Sequence, residues 1–94
     1  MATIMIVDDE EPTRITLFAA FSNKYKIIQA ANGQEGLQVF LQHKPDLIIT
    51  DQNMPVMNGF DMVSGIRASD KKVKIIAFSG SYDYGLEKML EAGA

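Results

Sequence analysis

Three short runs of this chain, Ile4-Met5-Ile6-Val7, Leu47-Ile48-Ile49 and Ile75-Ile76-Ala77-Phe78, are apolar without interruption. A strand that meets water on one face alternates apolar with polar residues, whereas a strand covered on both faces does not. Each run is followed by a segment with helical spacing, and another β-like run, Tyr25 to Ala30, stands between the first two. Strict β-α alternation with short connections calls for a parallel sheet with right-handed crossovers. The fold class is therefore α/β, a doubly wound parallel sheet with helices on both faces.

The strands are expected at Thr3–Val7, Tyr25–Ala30, Leu47–Asp51 and Lys74–Ser79. Pro12 suits the first turn of a helix, and Ile15, Phe18 and Phe21 then space out as one of its faces, ending near Asn23. Asn32 with Glu35 three residues on has capping-box chemistry, and Leu37, Phe40 and Leu41 supply a buried stripe before Pro45 stops the helix. Met62, Val63 and Ile66 mark a third helix, and Leu86, Met89 and Leu90 a fourth. Neither a linker nor a repeat interrupts the pattern, so the 94 residues form one domain with a modest core.

Composition narrows the chemistry. There is no cysteine, which removes disulfides, thiol catalysis and zinc–thiolate sites. A net charge of -3 disfavours nucleic acid as a direct partner; Lys71, Lys72 and Lys74 form the one basic cluster and fit a solvated turn. The amino terminus meets acid too early for a signal peptide, and no apolar run approaches membrane-spanning length. The expected setting is the cytoplasm, without a membrane partner.

Polar residues concentrate where the strands end. Asp8-Asp9-Glu10 closes the first strand, Asp51 the third and Ser79 the fourth. In open parallel sheets, sites form beyond the carboxyl ends of strands, where the winding reverses. Carboxylates brought together there repel, which raises some pKa values unless a cation intervenes. Taken singly, Asp8 and Asp9 also suit a helix N-terminus, and Asp51, Asn53 and Pro55 an ordinary turn.

The ordered set of motifs resembles the receiver domain of bacterial response regulators, the CheY-like family. The residues that carry the resemblance are Ile6-Val7-Asp8-Asp9-Glu10, Thr50-Asp51-Gln52-Asn53-Met54-Pro55, Met57-Asn58-Gly59, Ala77-Phe78-Ser79-Gly80 and Glu91-Ala92-Gly93-Ala94. It implies a flavodoxin-like sheet of order 2-1-3-4, with Asp51 as phosphoacceptor. It further implies Mg²⁺ held by the carboxylates of Asp9 and Asp51 and the main-chain carbonyl of Asn53, with Asp8 acting mainly through water. Ser79 would be the switch hydroxyl that bonds the new phosphoryl group, and Gly80 would leave room beside it. Pro55 and Gly59 would be conformational, and Ser81 would cap the fourth helix. The implied partner is a sensor histidine kinase or a phosphotransfer protein, and the implied process is phosphorelay signal transduction.

His43, the single histidine, sits in a connection far from the acidic edge and reads as an exposed loop residue. Met54, Met57, Met62 and Met89 read as packing. Tyr82 and Tyr84 are candidates for a partner-reading surface. The family pattern continues beyond Ala94 with a fifth strand, bearing a lysine, and a fifth helix. Without them Lys74–Phe78 is expected to be an exposed β edge, prone to self-association or segment exchange. Two other functions fit parts of the pattern. One is a pseudo-receiver that binds or oligomerises without phosphorylation. The other is a Mg²⁺-dependent phosphohydrolase with an aspartyl nucleophile, although the first strand ends in Asp-Asp-Glu rather than Asp-x-Asp and no cap or pocket segment is present.

Overall fold

The computed structural model describes residues 2–52, 54 and 56–78. Within them the elements follow in strict alternation: β1 (Thr3–Val7), α1 (Glu11–Phe21), β2 (Lys26–Ala30), α2 (Gly33–His43), β3 (Leu47–Asp51), α3 (Gly59–Ser69) and β4 (Lys74–Phe78). All neighbouring strands are parallel, in the order β2-β1-β3-β4. The chain moves from β1 outward to β2, then crosses back over β1 to β3. The winding therefore reverses between β1 and β3, and a crevice at their carboxyl ends follows from topology alone.

The uninterrupted apolar runs are explained by two cores, one on each face of the sheet. Met5, Val7, Ile48 and Ile75 join Phe40 of α2 and Met62, Val63 and Ile66 of α3 on one face. Ile4, Ile6 and Ile49 meet Leu17 and Phe21 of α1 on the other. Period-two alternation along each strand thus sends successive apolar residues into different cores rather than into core and water.

The expected face of α3, Met62, Val63 and Ile66, is buried, whereas α1 and α2 depart from expectation in part. On α1 Ile15 and Phe18 are exposed, while Phe21, the third residue of the expected face, packs against the sheet together with Leu17. Arg14, Leu17 and Phe21 lie three and four residues apart, so they form one stripe, and Arg14 is drawn to the sheet by a bond from its Nη1 to Asp8 O at 2.6 Å. On α2, Leu41 is exposed while Phe40 is buried and Leu37 packs against the core. Asn32 caps α2 as expected, its Oδ1 accepting from Glu35 N at 2.8 Å. The Glu35 carboxylate, however, reaches one residue further back than a standard capping box and accepts from Ala31 N at 3.1 Å. The last turn of α2 carries His43, exposed and remote from the acidic edge. The expected fourth helix, with Leu86, Met89 and Leu90, falls outside the described residues, as do Ser81, Tyr82 and Tyr84.

Candidate functional site

The register β1–β3 pairs Val7 with Thr50, so Asp8 and Asp51 each stand one step beyond the last ladder pair. The ladders outlast the strands slightly. Asp8 N still donates to Ala30 O at 3.1 Å, and Gln52 N to Phe78 O at 3.2 Å. Main-chain bonds therefore fix the roots of both acidic side chains. Asp8, Asp9 and Asp51 each offer a carboxylate oxygen within 4.8 Å of the other two. Asp8 is buried, Asp51 partly so, and Asp9 faces solvent.

Burial pushes the Asp8 carboxyl above its ordinary value, and the charges of Asp51 and Asp9 push it the same way. Two groups oppose the rise: Glu10 N donates to Asp8 Oδ1 at 2.8 Å, and the Arg14 guanidinium stands nearby. The net shift is upward, so the local donors do not fully offset burial and the neighbouring negative charge. Asp8 makes this turn with Glu10 rather than capping α1; the N-cap position is Glu10, whose side chain makes no capping bond.

The start of α2 packs closely against the connection between β3 and α3. Gly33 N donates to Met57 O at 2.9 Å, and a Cβ at Gly33 would collide with that same carbonyl. Only glycine lets the start of α2 sit so close to the β3–α3 connection. Asn58 caps α3 by accepting from Asp61 N at 2.9 Å. Met54 and Met57 pack against the core beneath, as their apolar character predicts. The structure thus brings together Asp8, Asp9 and Asp51, while Asn53, Pro55, Ser79 and Gly80 lie outside the described residues.

Two residues were missed in reading the sequence. Thr50, fully buried, donates from Oγ1 to Asp51 O at 3.0 Å. Gln52, also buried, accepts at Oε1 from Phe60 N at 2.9 Å, and its main-chain oxygen accepts from Gly59 N at 3.0 Å. The one available signal was that polar residues flank the aspartate at the end of an apolar strand.

A doubly wound sheet of order 2-1-3-4 with acidic groups at its switch point places the protein in the flavodoxin-like, CheY-like class. The chain belongs to the response regulator receiver domain family, whose pattern it matches over residues 4–94. It is 32% identical over 89 residues to sporulation initiation phosphotransferase F of Bacillus subtilis, covering 94% of this chain and 69% of that protein. It is 40% identical over 80 residues to the autoinducer 1 sensor kinase/phosphatase LuxN of Vibrio harveyi, covering 83% of this chain but 9% of that protein. Among solved structures, chemotaxis response regulator CheY4 of Vibrio cholerae superposes with a TM-score of 0.92 at 30% identity, covering 100% of this chain and 82% of that one. CheY in the CheX–CheY–BeF3–Mg complex of Borrelia burgdorferi gives a TM-score of 0.90 at 31% identity, with 99% and 73% covered. The protein is thus a receiver module of two-component signalling. Among the described residues no helix is long and apolar enough to cross a membrane.

Proposed function

We propose that this receiver accepts a phosphoryl group on Asp51 from a sensor histidine kinase or a phosphotransfer protein, in a Mg²⁺-dependent reaction. The observation that carries the reading is the convergence of Asp8, Asp9 and Asp51 at the point where the sheet's winding reverses. The donor set fits the ion. Mg²⁺ takes oxygen ligands at about 2.1 Å, so any two of its ligands would stand no more than about 4.2 Å apart. Oxygens within 4.8 Å of one another reach that span with a small closure. Mg²⁺ also keeps several waters, which suits a sparse set of carboxylates better than a full protein cage. When bound, it supplies the positive charge that screens the attacking carboxylate from the phosphoryl oxygens.

In this reading an oxygen of Asp51 attacks phosphorus, a P–O bond forms, and the P–N bond to the donor's imidazole breaks. The nitrogen leaves with the bonding pair and later takes a proton. Asp9 would hold the ion with Asp51, and Asp8 would act mainly through water. By the family's pattern Asn53 adds its main-chain carbonyl and Ser79 its switch hydroxyl. The module assists its own phosphotransfer and is not a turnover enzyme on a small substrate. Relatives named as a phosphotransferase and as a sensor kinase support a phosphorelay, and a cytoplasmic setting suits it.

The test is labelling by a small phosphodonor, or binding of beryllofluoride, with and without Mg²⁺. The parent chain should label only with the metal, and Asp51→Asn should not label at all. Equal labelling of the two proteins would remove Asp51 from its role.

A further inference from the structure

The peptide group that joins Asp51 to Gln52 is held at both of its polar atoms. Its oxygen accepts from Thr50 Oγ1 at 3.0 Å, and its N–H donates to Phe78 O at 3.2 Å. The next peptide group is held as well, because Gln52 O accepts from Gly59 N at 3.0 Å. The Gln52 side chain then adds a bond to the start of α3, Oε1 accepting from Phe60 N at 2.9 Å. Thr50 is 0% exposed and Gln52 7%, so water does not compete effectively for these bonds.

Packing alone does not account for either residue. Thr50 stands next to the Val7 and Ala77 positions of the neighbouring strands, where valine would fill the same space without burying a hydroxyl. The α3 N-terminus already has Asn58 as its cap, so Gln52 is a second, independent tie between α3 and the strand end. The Thr50 hydroxyl holds the peptide unit whose rotation would swing the Asp51 side chain, and the Gln52 side chain anchors the residue on the far side of that unit to α3.

We infer that Thr50 and Gln52 are positioning residues for Asp51, a two-sided clamp that sets where its carboxylate stands relative to Asp8 and Asp9. A site of this kind works only when its groups are held within about 0.5 Å of the productive arrangement. Groups that orient a ligating carboxylate typically change metal affinity about 10- to 100-fold when removed. The inference rests on the proposed Mg²⁺ site, and on the phosphoacceptor reading only for its consequence.

The experiment is calorimetric titration of Mg²⁺ into the parent and four variants, well below each melting midpoint, with the midpoints recorded alongside. Thr50→Val and Gln52→Met keep shape and remove the bonding group; each should weaken Mg²⁺ about 10-fold in folded protein. Thr50→Ser and Gln52→Glu keep an oxygen at the same place and should bind within about 3-fold of the parent, or tighter for the added charge of Glu. A lowered midpoint with unchanged Mg²⁺ affinity would reduce both residues to structural roles and overturn the clamp. Loss at only one of the two positions would overturn its two-sidedness. If Thr50→Val fails to fold, the Gln52 pair at the rim still decides. Parent protein that binds Mg²⁺ but not beryllofluoride would sink the phosphoacceptor reading and leave the clamp standing; parent protein that binds no Mg²⁺ would sink both.

Discussion

At the amino-terminal rim of the sheet, aspartates are matched with donors; at the carboxyl-terminal rim they face one another. Asp46 Oδ2 accepts from Thr3 N at 2.8 Å while Asp46 N donates to Thr3 O at 2.9 Å, which ties β3's entry to β1. Asp70 Oδ1 accepts from Lys72 N at 2.8 Å and Val73 N at 3.0 Å, ending α3 and aiming the chain into β4. Those two main-chain donors hold the Asp70 carboxyl below its ordinary value, with help from Arg67 and Lys44. Asp8, with one main-chain donor, is buried beside two more carboxylates and is pushed the other way. The same side chain thus serves local structure at one end and stores electrostatic tension at the other. Tension of that sort is relieved by a cation or a proton, which is why the carboxyl-terminal rim reads as the site.

The largest expected effect follows from supplying the cation. Free Mg²⁺ at a hundredfold excess over its dissociation constant should stabilise the fold by about 2.7 kcal/mol. Asp51→Asn should abolish that gain, whereas Asp70→Asn should keep it and lower the melting midpoint with and without metal. Thermal unfolding with a Mg²⁺ series reads both. If Asp70→Asn weakens the Mg²⁺ response as much as Asp51→Asn, the division between the rims does not hold.

Next comes Asp8→Asn. The amide keeps an oxygen for Glu10 N but removes a buried charge, so the metal-free protein should melt higher than the parent. Its Mg²⁺ affinity should fall about 10- to 100-fold. A variant that is both less stable and equally avid would mean that the Asp8 charge is already matched in the parent.

The two rims should also respond oppositely to acid. Asp8 has a folded pKa above its unfolded value, so its contribution is most favourable below about 3.8 and is lost as pH rises through the folded pKa. Asp70 has a folded pKa below its unfolded value, so its contribution is full above about 3.8 and is lost as pH falls through the lower folded pKa. Melting midpoints of the parent, Asp8→Asn and Asp70→Asn between neutral pH and strong acid separate the two. The advantage of Asp8→Asn should shrink on acidification, and so should the deficit of Asp70→Asn. Saturating Mg²⁺ should suppress the first trend only.

How much of this was legible in the sequence follows from the range of the interactions. The uninterrupted runs at Ile4–Val7 and Leu47–Ile49 require cover on both faces, and the two cores supply it. Because parallel pairing carries strand ends to one rim, the meeting of Asp8, Asp9 and Asp51 was also readable. The burial of α1 was legible only in part: Phe21 packs as expected, but Ile15 and Phe18 fit a helical face as well as Leu17 does, and only the packed sheet shows that Leu17 is the one taken up. Gln52 escaped notice because a glutamine in a turn is unremarkable until Phe60 and Gly59 fold back onto it.

The smallest expected effects come from a feature the rims share. Each holds a non-glycine residue at positive φ: Val56 at 68° on the acidic side and Lys44 at 48° on the other. A β-branched side chain in this region costs about 1–2 kcal/mol, and Val56, at 78% exposed, recovers little of it by burial. Lys44 is better compensated. Its N–H closes α2 on Phe40 O at 2.9 Å, and its Nζ lies 5.5 Å from the centre of the Phe40 ring. Val56→Asn, which tolerates the conformation without adding the unfolded-state freedom of glycine, should stabilise by about 1 kcal/mol; Val56→Gly should gain roughly half as much. Lys44→Gly also relieves backbone strain but forfeits a cation–π contact of about 0.5 kcal/mol and loosens the unfolded chain, so its net change should be near zero. Denaturant unfolding of the three variants resolves the order. A Lys44→Gly gain that matched Val56→Asn would show that strain is compensated at neither rim, and a loss in Val56→Asn would show that the apolar side chain beside the acidic cluster has a contact that holds it there.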